Sequence, residues 1–163
     1  MIICGIDPGL KGGIAIIDGN KTFTYPVPIS GKDINVSALI EILRSHKVEL
    51  AICELVHSMP AFGKDGKRTQ GIASAFTFGK GYGMVLGAVM GAGIPLELVT
   101  PQKWKGSVLS GTAKDKDAAI DFCTRRYPQV NLILPRCRKQ HDGMADALCI
   151  AHYGLLIYLR EAA

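Results

Sequence analysis

Residues 4–17 read Cys4-Gly5-Ile6-Asp7-Pro8-Gly9-Leu10-Lys11-Gly12-Gly13-Ile14-Ala15-Ile16-Ile17. This is the pattern of two apolar strands joined by a tight connection of Pro-Gly and Gly-Gly. One carboxylate, Asp7, stands in it, and a surface aspartate usually keeps polar company. Either Asp7 caps a turn or a cation must sit beside it.

Working outward, residues 2–7 form a first strand ending at Asp7, and residues 12–18 a second. Asp18-Gly19-Asn20 is a hairpin turn, and residues 21–27 continue as a third strand. Val36, Leu39, Ile40 and Leu43 fall at i, i+3, i+4 and i+7, the apolar face of a helix. The run Leu50-Ala51-Ile52-Cys53 then closes on Glu54. A strand reached through a helix is normally parallel to its neighbour, so this fourth strand lies beside the first. Asp7 and Glu54 therefore end two parallel strands on one edge, where ligands gather in open α/β sheets.

Residues 55–69 are a polar loop and residues 70–92 a long helix. Gly83, Gly87 and Gly91 share one side of that helix, which implies close packing against the sheet or a second subunit. Gly79-Lys80-Gly81-Tyr82-Gly83 lacks the spacing and the preceding strand of a phosphate-binding loop. Residues 94–99 form a fifth strand. A helix over 114–126 begins with Thr112 and Asp115 at capping-box-like spacing. The last helix covers 142–159.

The 163 residues suit one domain, 1–163, with a single interior. Hydrophobic residues make up 48 % of the chain, yet apolar runs break well short of the roughly 20 residues a membrane span needs. A soluble protein with no secretion signal and no membrane partner is expected. Five cysteines without a Cys-x-x-Cys pair fit a reducing, cytoplasmic compartment. The formal charge of +5 favours an anionic partner if the cations cluster.

Asp142 and Asp146 are four apart and share a helix face. Asp146 also shares it with Cys149, Ile150 and Tyr153, so the side meant for the sheet carries an acid. Burying a lone carboxylate costs several kcal/mol unless it is paired or metal-bound. Plain alternatives exist: Asp142 stands where a helix N-cap belongs, and Glu54 could pair with a lysine. Taken together, acids converging on one edge repel one another unless divalent cations lie between them. All-oxygen ligation suits Mg²⁺ or Mn²⁺, and two such ions about 4 Å apart serve phosphodiester hydrolysis.

Gly5-Ile6-Asp7-Pro8-Gly9, Cys53-Glu54 and Asp146-Ala147-Leu148-Cys149-Ile150-Ala151 together resemble the RuvC-type Holliday junction resolvases, in order, spacing and total length. The loop after Glu54 and Lys103-Trp104-Lys105 are more like the phage and chloroplast branches. The resemblance implies an α/β, ribonuclease-H-like fold: a five-stranded mixed sheet with helices on both faces. It implies a homodimer that nicks four-way DNA junctions symmetrically, with two Mg²⁺ ions per active site (Mn²⁺ as the substitute), in DNA recombination, repair or branched-DNA processing. The catalytic, metal-holding acids it implies are Asp7, Glu54 and Asp146, plus one near the start of the last helix. Many members place that fourth ligand three residues before the final acid, where this chain has Gly143. The candidates are Asp142, which geometry favours, and His141.

For DNA binding, Lys64, Lys67 and Arg68 follow Glu54, with Met59 and Phe62 among them. In the family an apolar or aromatic residue of this region enters the junction centre. Phe62 is the candidate wedge, or else an anchor for the loop. Lys103, Lys105, Lys114 and Lys116 occupy a region where the family's basic residues approach the scissile phosphate, with Lys105 the first choice for a catalytic role. Arg136, Arg138 and Lys139 precede the acidic helix as candidate backbone contacts. Trp104 reads as a packing residue rather than a base reader. The alternatives carried forward are a catalytically degenerate junction-binding module, favoured only by Gly143, and a nuclease for RNA–DNA hybrids. An ATPase of the actin-like kind would need a second such domain.

Overall fold

The structure is a computed structural model and describes residues 1–56, 71–111 and 117–161. Five strands make the main sheet: β1 (Ile2–Asp7), β2 (Gly13–Asp18), β3 (Lys21–Pro26), β6 (Leu50–Glu54) and β7 (Leu96–Val99), in the order β3-β2-β1-β6-β7. A two-stranded hairpin, β4 (Ile29–Ser30) with β5 (Asp33–Ile34), precedes helix α1 (Val36–Ser45). The remaining helices are α2 (Ile72–Gly91), α3 (Pro101–Val108), α4 (Ala118–Arg126) and α5 (Asp142–Glu161). This is the mixed α/β sheet that the sequence implies, with the hairpin β4–β5 and helix α3 added to it.

Local chemistry accounts for the turns and starts. Gly19 and Asn20 join β2 to β3, and Gly19 adopts φ +56° at the first turn position, where glycine pays no steric cost. Asn35 caps α1, its side-chain oxygen accepting from the Ala38 N–H at 3.1 Å. β1 pairs antiparallel with β2 and parallel with β6, and β6 pairs parallel with β7. The sheet therefore mixes an antiparallel meander, β1 to β3, with two parallel pairings, β1 with β6 and β6 with β7.

Alternation along the strands builds two cores. Cys4, Ile6, Ile14, Ile16, Ala51 and Cys53 pack with Leu39 and Leu43 of α1 and Val85, Ala88 and Val89 of α2. Ile3, Ala15, Ile17, Leu50 and Ile52 face the other way, towards α5, Trp104 of α3 and Cys123 of α4. Helices thus cover both faces. Cys4, Cys53, Cys123 and Cys149 are buried free thiols and Cys137 is an exposed one. Among the described residues, no helix is long and apolar enough to cross a membrane.

Two expectations are corrected, and the reading that Gly79–Gly83 is no phosphate-binding loop agrees with the structure. Gly83, Gly87 and Gly91 do not pack on the sheet: a Cβ at any of them would meet nothing within 4 Å, so that edge of α2 is open. Gly79–Gly83 lies inside α2, where Lys80 pairs with Asp33 at 2.5 Å, and forms no loop. Helix α4 starts at Ala118 rather than 114, and the expected capping box at Thr112 and Asp115 lies outside the described residues.

α5 lies unusually close to the sheet. A Cβ on Gly5 would sit 2.2 Å from the Ala147 carbonyl oxygen and 2.3 Å from the Ala151 nitrogen, both backbone atoms of α5. No side-chain rotation relieves such a clash, so over-packing moves backbone. Gly5→Ala is therefore expected to lose roughly 1–3 kcal/mol in urea denaturation; a wild-type midpoint would contradict this direct contact.

Candidate active site

The parallel pairing of β1 with β6 runs Ile3↔Leu50 through Ile6↔Cys53. The next residues along are Asp7 and Glu54, so the two acids stand side by side at the strand ends. Side-chain alternation sets their direction. Asp7 is two beyond Gly5 and Glu54 two beyond Ile52, so both belong to the face that α3 and α5 cover.

Backbone proximity delivers the third acid. Gly12 forms a bridge with Gly143 at the start of α5. A Cβ on Gly13 would lie 2.4 Å from the Gly143 carbonyl, and one on Gly143 would lie 2.4 Å from the Lys11 carbonyl. The first turn of α5 therefore rests on the β1–β2 connection, with Asp146 one turn further along. Gly143 is required by this contact, so an acidic side chain has no room there.

The start of α5 is organised by His141. Its Nδ1 accepts from the Met144 N–H at 3.2 Å, and its carbonyl accepts from the Met144 and Ala145 N–H groups. His141 thus fills the capping role expected of Asp142. Asp142 is left as an exposed first-turn acid whose charge reaches Asp146.

Helix α3 brings two further groups. Thr100 caps it by accepting from the Lys103 N–H at 3.3 Å, and Pro101 occupies its first turn. Trp104 is fully buried, and its Nε1 donates to Glu54 Oε2 at 2.7 Å. The Lys105 ammonium lies 5.0 Å from the centroid of that indole ring, a cation–π distance. The packing reading of Trp104 holds, and its hydrogen bond to an acid of the site is the feature that sequence reasoning missed. Thr100-Pro101 is the helix-start signal that could have located α3, although no local signal pairs Trp104 with Glu54.

The electrostatics reflect burial of the acids first and crowding of like charges second. The Asp7 carboxyl is raised to about 7, first by burial, then by the charges of Asp146 and Glu54, with Lys105 acting in the opposite sense. The Asp146 carboxyl is raised to about 6, again first by burial, with Lys105 opposing and Glu54 and Asp142 adding. No lysine or arginine among the described residues forms an ion pair with any of the four acids. The acids therefore influence one another strongly, yet among the described residues no three of His, Cys, Asp and Glu come together closely enough to hold a metal ion. The donor set itself, carboxylate oxygens alone, has the hard chemistry that Mg²⁺ requires.

Of the other candidates, Lys103 is exposed on α3, and Arg136, Arg138 and Lys139 are exposed just before α5. Phe62, Lys64, Lys67 and Arg68, with Met59, lie outside the described residues, as do Lys114 and Lys116.

No family model and no curated protein matches this chain. Solved structures do. Thermus thermophilus RuvC in complex with a Holliday junction substrate matches with a TM-score of 0.63 at 22 % identity, over 99 % of this chain and 96 % of that one. A second structure of T. thermophilus RuvC gives 0.62 at 22 %, over 99 % and 97 %. The Fowlpox virus resolvase, in complex with its substrate Holliday junction DNA, gives 0.54 at 18 %, over 99 % of each chain. The chain thus has the ribonuclease-H-like fold of these resolvases over nearly its whole length.

The raised carboxyls carry a stability cost with a definite sign. Below about pH 4, Asp7 is protonated whether folded or unfolded, and no cost arises. Between there and about pH 7 the folded chain retains a proton that the unfolded chain releases, so stability falls as pH rises. In EDTA at pH 8, Asp7→Asn is expected to be more stable than wild type by on the order of 2 kcal/mol, with the gap closing towards pH 4. Urea denaturation across that range checks it, and equal stability at pH 8 would contradict the assignment.

Proposed function

We propose that this chain is a Mg²⁺-dependent endodeoxyribonuclease that resolves four-way DNA junctions as a homodimer. The observation that carries the reading is the placement of Asp7, Glu54 and Asp146 on one face at one sheet edge, with Lys105 near them and the carboxyls of Asp7 and Asp146 raised first by burial and then by the neighbouring acids. The resolvases that share the fold are seen with Holliday junction DNA, which supports branched DNA as the substrate.

Asp7, Glu54 and Asp146, with Asp142 as the fourth acid, are the residues that would hold two Mg²⁺ ions. When bound, the ions supply Lewis-acid stabilisation of the charge developing on the phosphate. The chain's own residues do the positioning. Glu54 or Asp146 orients the attacking water towards the phosphorus. The Lys105 ammonium offsets charge on the phosphate oxygens, the kind of fixed positive charge that lowers a transition state. Lys103, Arg136, Arg138 and Lys139, with Lys64, Lys67, Arg68, Lys114 and Lys116, supply cations for the flanking backbone. Phe62 is assigned to the open centre of the junction.

The homodimer has a face to use. The outer side of α2 exposes Phe76 at 73 % and Met90 at 63 %, beside glycines open to close approach. A helix apolar on its outer side needs a cover, and a second copy would cover it while carrying a second site to the opposite strand.

Asp146→Asn keeps the shape of the side chain and removes its charge. Nicking of a synthetic four-way junction in Mg²⁺ is expected to fall at least about 100-fold, while a gel shift without divalent cations shows junction binding unchanged. Robust cleavage by this variant would sink the assignment.

A further inference from the structure

The hydrogen bond between Trp104 and Glu54 has more to do than satisfy an indole. A buried tryptophan N–H needs an acceptor, and a main-chain carbonyl would serve. Here the acceptor is a carboxylate of the site, at 2.7 Å. Such charge-assisted bonds are short and directional. Among the described residues, the indole is the one hydrogen-bond donor to the Glu54 side chain. It takes Oε2, and among the described residues no side chain or backbone group donates to Oε1. The π face of the same ring lies beneath the Lys105 ammonium, at 5.0 Å from the centroid. Trp104 is fully buried among α3, α5 and the sheet, so its own orientation is fixed by packing. One rigid ring thus contacts both an acid and a cation of the site.

We propose that Trp104 is a positioning residue, which fixes Glu54 so that a single carboxylate oxygen faces the divalent cation and holds Lys105 beside the acids. The inference rests on the metal-dependent reading above. It adds an outer partner to a ligand, the kind of contact whose loss weakens metal affinity roughly 10- to 100-fold. It also makes the chain's single tryptophan an optical reporter of its own site.

The test is calorimetric titration of Mn²⁺ into the full chain, as wild type and as Trp104→Phe, which keeps an aromatic face for Lys105 and removes the N–H. The variant is expected to bind Mn²⁺ about tenfold more weakly, while its junction binding without divalent cations is unchanged. Equal Mn²⁺ affinity in the two proteins would overturn the proposal and leave Trp104 a packing residue. If Trp104→Phe does not fold, the emission of wild type decides. It is expected to change on adding Mg²⁺, and Glu54→Ala is expected to shift it before any cation is added. Emission indifferent to both changes overturns the proposal. A wild type that binds Mn²⁺ but leaves the junction intact overturns the nuclease reading alone, with the affinity comparison still deciding the role of Trp104. A wild type that binds no Mn²⁺ overturns both.

Discussion

The backbone of α5 lies against the backbone of β1 and of the β1–β2 connection, and the rest of the arrangement depends on that contact. It is possible only because Gly5, Gly12, Gly13 and Gly143 lack side chains, since a Cβ at each would come within 2.4 Å of a backbone atom across the contact or within the turn. Glycines are costly to order, and four at one contact are compensated by the direct packing of the last helix on the central strand. That packing sets how far Asp146 stands from Asp7. A helix held off by ordinary side chains would carry its acid away from the sheet edge.

Two periodicities then complete the site. The period of two along β1 and β6 sends Asp7 and Glu54 to the face that the period of 3.6 along α5 fills with Asp146. The same face receives Trp104 and Lys105 from α3. The result is a local excess of negative charge, with Asp7 and Asp146 both raised and Lys105 the cation that opposes the shift. Such an arrangement stores unfavourable charge in the folded chain, a cost that native proteins accept where the charge has work to do.

Much of this is legible in the sequence because it is carried by local pattern. The apolar hairpin 4–17, the 36–43 helix face and the crossover to Leu50 fix the order of β1, β2, β3 and β6, and with it the meeting of Asp7 and Glu54. Asp146 follows from its apolar neighbours at helical spacing. What escapes is non-local or short. Helix α3 is only eight residues long, too brief for a periodic signal, although Thr100-Pro101 marks its start. The bond from Trp104 to Glu54 joins residues 50 apart, and no pattern within either segment announces it. The cap of α5 fell to His141 rather than Asp142 because the helix begins at Asp142, one residue earlier than a cap at Asp142 requires. The glycines of α2 share a face as expected, but which surface that face meets depends on the packing of α2 as a whole.

In the proposed function this sheet edge cuts branched DNA, two strands at a time. The most direct measurement is to map the nicks in a synthetic four-way junction labelled on each strand in turn, with Mg²⁺ supplied. Paired nicks at symmetry-related positions on two opposed strands, and none in EDTA, are expected. A junction left intact by Mg²⁺, or cut at unrelated positions on all four strands, would contradict it.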